Sequence, residues 1–171
     1  MQFSLSHQVA IWLCKTNHNS ERRRLSLRES HSQTMILVID GQGGGIGRSL
    51  IEQLKKRLPD EQVVAVGTNS GAASAMLKAG ADAGATGENA VIYNSKRADV
   101  IAGPVGILLA NSMFGEVSPS MAAAVSESQA QKILIPIAKC NAVVVGTQTK
   151  PIVQYIEEAV QMIAEQIEGK I

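Results

Sequence analysis

Aromatic residues are scarce in this 171-residue chain, which has one Trp, two Tyr and two Phe. Single-stranded nucleic acid needs aromatic platforms and duplexes need a basic surface, and the body of the chain has neither, so no nucleic-acid partner is expected. The net charge of +1 conceals an asymmetry. Residues 1–34 hold Lys15, Arg22, Arg23, Arg24 and Arg28 against Glu21 and Glu29, which leaves the remainder slightly acidic. Histidine is confined to the same segment, at His7, His18 and His31. The rest of the chain therefore lacks the commonest general base and the commonest metal ligand, so no metal is expected and histidine-dependent triads drop out. The cysteines, Cys14 and Cys140, form no framework of pairs, which fits a reducing, cytoplasmic compartment. No apolar run reaches the roughly 18 residues of a membrane helix. The nearest, ADVIAGPVGILLANSMFG, is interrupted by Gly103, Pro104 and Gly106, and no membrane partner is expected.

With 45% hydrophobic and 18% charged residues, the composition supports a single sizeable core. Residues 1–34 read as a disordered basic extension, because SERRRLSLRESHSQT is polar and without periodicity. The apolar piece VAIWLC is too short for a signal-peptide core and precedes the arginines instead of following them. Met35 stands directly before the first strand, which raises a start-site error as the origin of this extension. Residues 35–171 read as one domain.

That domain alternates short β-rich runs with helical patterns, so its fold class is α/β: a Rossmann-like three-layer sandwich with a mostly parallel sheet of about five strands. MILVID is a central strand, apolar nearly throughout because both faces of such a strand are covered. A helix from Ile46 to Leu58 follows, with cations at its C-terminus and Pro59 as its stop. QVVAVG is the second strand, and an alanine-rich helix follows to Lys78. The glycines of KAGADAGATG break that helix, and Thr86 caps the next, which runs through Tyr93 to Arg97. DVIAG is the third strand, GPVGILLANSM a helix after Pro104, and PSMAAAVSES a helix opening at Pro119. KILIPI and NAVVVG are the fourth and fifth strands. Their three-residue link, Ala138 to Cys140, is too short for a parallel crossover, so the fifth is expected to be an antiparallel edge. An amphipathic helix from Pro151 to Glu168 ends the domain, with Ile152, Tyr155, Ile156, Ala159, Ile163 and Ile167 inward.

The turn after the first strand carries the strongest chemical signal. Gly41, Gln42, Gly43, Gly44, Gly45, Ile46 and Gly47 contain five glycines in seven residues, in the spacing G-x-x-x-G-x-G. Glycine lets phosphate oxygens approach the backbone, and the following helix supplies unpaired amides, to which Arg48 would add a full charge. Tight packing of the turn is the bland alternative. At the end of the second strand an acidic residue would hold the ribose of NAD, but the chain has Thr68, Asn69 and Ser70 there. Gly103 and Pro104, after the third strand, are candidates for the floor of the same pocket. The cofactor-binding set is therefore Gly41 to Arg48, Thr68 to Ser70, Gly103 and Pro104, for NAD(P) or another nucleotide. Tyr93 and Lys96 are the catalytic candidates, with a Y-x-x-K spacing one residue short of the short-chain dehydrogenase pair.

The motifs DGQGGGIG, GTNSGAASAMLKAGADAGATGENAV, ADVIAGPVGILLANSMFGE and KILIPIAKCN occur in order. On them the chain resembles, over residues 35–168, a small bacterial family known only as a domain of unknown function. The resemblance implies a compact Rossmann-like domain and brings no activity with it. Three roles are open on sequence: a nucleotide-binding module, a small NAD(P)-dependent oxidoreductase, and a homo-oligomeric scaffold that uses the apolar stretch from Gly106 to Val125.

Overall fold

The computed structural model describes residues 33–137, 144–148 and 150–169. Within them lie the strands β1 (Met35–Asp40), β2 (Gln62–Gly67), β3 (Ala83–Thr86), β4 (Val100–Pro104) and β5 (Gln131–Ile135). They form one sheet in the order β3-β2-β1-β4-β5, and every pairing is parallel. This is the doubly wound order, whose reversal between β1 and β4 opens a crevice at the carboxyl ends of the strands.

Strict alternation along the central strands divides the core in two. Ile36, Val38, Val63, Ala65, Val100 and Ala102 face a layer made by α1 (Gly45–Arg57), α2 (Ser70–Lys78) and α5 (Ile152–Ile167). Leu37, Ile39, Val64, Val66 and Ile101 face the other layer, which contains α3 (Glu88–Ser95) and α4 (Pro119–Glu127). In α1, Leu50, Ile51 and Leu54 are fully buried, worth about 1.5–3 kcal/mol each. In α5 the buried face is Ile156, Ala159, Val160, Ile163 and Ala164, while Ile152 is 39% exposed. The expected stripe is found at Ile156, Ala159 and Ile163, with Tyr155 and Ile167 partly buried against the same core, and Ile152 alone of that set turns outward.

Four expectations need correction. The sheet has no antiparallel strand among the described residues. Its fifth member is β3, drawn from the glycine-rich stretch expected only to break the preceding helix. AGAT has little β-propensity of its own, and it is a strand through pairing of Val64–Gly67 with Ala83–Thr86. Asp82 fixes the register: its Oδ2 accepts the Val63 amide at 2.8 Å and lies 2.9 Å from Lys55 Nζ. Of the expected fifth strand, residues 141–143 lie outside the described residues, as do Cys140 and the histidines, and Val144 to Gly146 are coil and turn. The Thr86 hydroxyl donates to the Gly67 carbonyl at 3.1 Å, and Gly87 occupies the cap of α3. Finally, the expected helix after Pro104 is a 3-10 turn, Val105–Leu108, followed by an irregular reversal. Of the apolar stretch proposed as an oligomer face, Ile107, Met113, Val117, Met121, Ala122 and Val125 belong to the core. No helix among the described residues is long and apolar enough to cross a membrane.

Candidate functional site

Asp40 ends β1 with its side chain buried, and the following backbone folds around it. Oδ1 accepts the Gly41 amide at 2.8 Å and Oδ2 the Gly47 amide at 2.7 Å. Burial pushes the Asp40 carboxyl above its usual range, outweighing the amides of Gly47, Gly41 and Ile46, and the nearby Glu116 acts in the same direction. The Gly44 amide closes the turn onto the Gly41 carbonyl at 2.9 Å, and Gly44, at φ 67°, caps α1 in the left-handed conformation.

The glycines of this turn sort into two groups. A Cβ on Gly41 would lie 2.6 Å from both Met113 Sδ and Thr68 Oγ1, and one on Gly47 would lie 2.4 Å from Met76 Sδ. Gly44 has its positive φ and the Ala72 backbone against it. Packing and turn geometry account for these three. Gly43 and Gly45 are exposed, have no left-handed φ, and a Cβ on either would meet nothing within 4 Å. No internal contact requires glycine at those two positions.

Thr68 and Asn69 lead into α2, which Ser70 begins. The Asn69 side chain caps the helix by accepting the Ala72 amide at 2.9 Å, and its Nδ2 donates to the Gln42 carbonyl at 3.0 Å. The exposed Ser70 opens the first turn. Across from them stands a carboxylate that sequence reading did not place there. Glu116, from the segment after β4, accepts with its Oε2 the Gln42 amide at 2.8 Å, the Asn69 amide at 2.9 Å and the Thr68 hydroxyl. The Thr68 hydroxyl, followed by the Gln42 and Asn69 amides, holds the Glu116 carboxyl below its usual range against the opposing effect of partial burial. A carboxylate from another loop thus lies against the end of β2.

The reversal that delivers Glu116 is strained. Asn111, Met113 and Phe114 have φ values of 62°, 54° and 60°, and Gly115 follows at 89°. The left-handed region costs a side-chain-bearing residue about 1–2 kcal/mol. Met113 gains burial there against Gly106, whereas Phe114 is 91% exposed. Phe114→Gly is therefore expected to stabilise the protein by about 0.5–1 kcal/mol once the entropy cost of glycine is subtracted. A higher urea midpoint checks this, and a lower one would show that the ring makes a contact worth more than the strain.

Gly103 and Pro104 lie in β4 itself, buried, and not in a loop lining the pocket. Gly103 is needed by the sheet, since its Cβ would come 2.2 Å from the Ile39 carbonyl oxygen. Arg48 is exposed and engages Glu52 at 2.9 Å. Tyr93 and Lys96 are both exposed near the end of α3, and Tyr93 lies against Arg97, whose guanidinium is 5.0 Å from the ring centre and donates to its hydroxyl. Since α3 starts at the carboxyl edge of the sheet and runs back towards the amino ends, these two residues point to the edge opposite the glycine turn. Asp40 and Glu116 are the residues that sequence reading left out. Asp40 was legible as an acid before a helix start, while Glu116 had no local signal.

The chain matches, over residues 35–168, a family described as a domain of unknown function (DUF3842). No curated protein matches it. Among solved structures, the crystal structure of PbgP3 protein from Burkholderia pseudomallei aligns at 14% identity with a TM-score of 0.38. The alignment covers 81% of this chain and 55% of that one, so the chain spans about half the length of its structural neighbour.

Proposed function

Since the chain belongs to a family of unknown function, DUF3842, we propose its role from the site itself: a nucleotide-binding module whose ligand phosphate lies over the turn from Gly43 to Ile46. The observation that carries this reading is the pair of glycines the protein does not need. Glycine at an exposed, uncrowded position costs about 0.5–1 kcal/mol of backbone entropy relative to alanine, with no return inside the protein. A phosphate resting on the backbone supplies the missing reason, because it requires the side of the turn to be bare. The setting agrees. The turn opens a 13-residue helix at the crevice between β1 and β4; the buried Asp40 carboxylate takes the Gly47 amide from beneath, and the first helical turn itself carries no acidic residue on its exposed side.

Gly45→Ala separates the two explanations for the turn. In the unliganded protein it is expected to leave stability unchanged or raise it by about 0.5–1 kcal/mol, since alanine favours the helix. The same variant is expected to lose the thermal stabilisation given to the wild type by millimolar NAD+, NADP+, FMN or ATP. A ligand at one hundred times its Kd stabilises by about 2.7 kcal/mol, a shift that thermal denaturation resolves. A wild type stabilised by none of the four, or a variant that responds as fully as the wild type, would overturn the proposal.

A further inference from the structure

We infer that Glu116 reads the ribose of the bound nucleotide, so that the site accepts a free 2′-hydroxyl and rejects a 2′-phosphate. The inference rests on the nucleotide-binding reading above and names the class of ligand. In doubly wound sheets an acid at the end of the second strand receives the ribose hydroxyls, and an arginine nearby accommodates a 2′-phosphate. The end of β2 holds Thr68, Asn69 and Ser70, and no carboxylate. Glu116 fills that place from the far side of the crevice, within hydrogen-bond distance of both Thr68 and Asn69.

Its geometry suits reading more than plugging. The three protein donors to this carboxylate converge on Oε2. They hold the group ionised and fix its orientation, which leaves Oε1 to accept from a ligand hydroxyl. Gly41 lies directly beneath, where a Cβ would come 2.9 Å from Oε2, so the glycine that packs against the carboxylate is also the first of the phosphate turn. The charge balance agrees. Residues 41–47, 67–71 and 103–118 include Glu116 and no lysine or arginine, and Arg48, just beyond the turn, is exposed and paired with Glu52. A 2′-phosphate would meet a fixed negative charge with no lysine or arginine in the segments that line it.

Calorimetric titration of the full-length protein with NAD+ and NADP+, which differ only in the 2′-phosphate, and with ADP and 2′-deoxy-ADP, tests this. The wild type is expected to bind NAD+ about tenfold or more tightly than NADP+, and ADP more tightly than its 2′-deoxy analogue. Glu116→Gln, which keeps the shape and removes the charge, is expected to bring the NAD+ to NADP+ ratio within about threefold, chiefly by gaining NADP+ affinity. Equal wild-type affinities for the two dinucleotides would overturn the inference while the nucleotide-binding reading stands. A Glu116→Gln variant that binds all four ligands more tightly by one common factor would do the same, and would make Glu116 an internal occupant of the site. Failure of the wild type to bind any of the four would overturn this inference, and the absence of stabilisation by FMN and ATP as well would overturn the nucleotide-binding reading with it. The wild-type ratio stands alone as a test should the variant prove unstable.

Discussion

Replacing Gly103 with alanine is expected to destabilise the domain by about 3 kcal/mol or more, the upper end of what overpacking costs. The new Cβ would be placed 2.2 Å from the Ile39 carbonyl oxygen and 3.3 Å from its carbon. Neither strand can yield cheaply. Ile39 lies in β1, which is hydrogen-bonded on one side to β2 and on the other to β4, and Gly103 pairs with Leu134 of β5. Relief by moving β4 would break pairings in the middle of the sheet. Domains are stable by only about 5–15 kcal/mol in total, so a large part of the margin would go. Urea denaturation checks the prediction, with Gly43→Ala as the control that introduces the same methyl into open space. A loss at Gly103 no larger than at Gly43 would show that the two strands are further apart than described.

Asp40→Ala is expected to cost about 3 kcal/mol, because it strands two buried amides at once, each worth about 1–3 kcal/mol when left without a partner. Gly41 and Gly47 are both buried, and their amides are 2.8 and 2.7 Å from the carboxylate oxygens. The cost stays below the sum of two such losses since the carboxylate is itself held unfavourably, its proton affinity raised by burial. Asp40→Asn is expected to fall between wild type and alanine. Its oxygen still accepts one amide, while its NH2 group faces the other donor to donor. The order wild type, Asn, Ala in urea midpoint is the check, and an alanine variant as stable as the wild type would mean that water replaces the carboxylate.

The glycine turn shows what was legible and what was not. Its strand-to-helix setting could be read from MILVID followed by GQGGGIG, because both signals are contiguous in the chain. Which glycines serve packing could not. That division depends on Met76, Met113 and Ala72, brought over the turn by other elements. The carboxylate beside the β2 end is illegible for the same reason. The strand itself ends in Gly67-Thr68-Asn69, whereas Glu116 arrives through a reversal whose left-handed residues, Met113 and Phe114, are ordinary helix-compatible types in sequence. Tyr93 and Lys96 illustrate the reverse error. Their spacing shares one helical face, but the helix runs away from the turn.

The α/β class, the order of most elements and the glycine-rich strand-to-helix turn followed from sequence alone, since continuous apolar runs, helical stripes and glycine clusters are local patterns that hydrophobic burial and backbone sterics translate directly. Tertiary structure decided what depends on neighbours from elsewhere in the chain. It made AGAT a strand by pairing it with β2, turned the stretch after Pro104 into a strained reversal by burying Met113 and Val117, and carried Glu116 to the donors of Gln42, Thr68 and Asn69. None of those outcomes has a local energetic cause, because in each the favourable partner lies on another element.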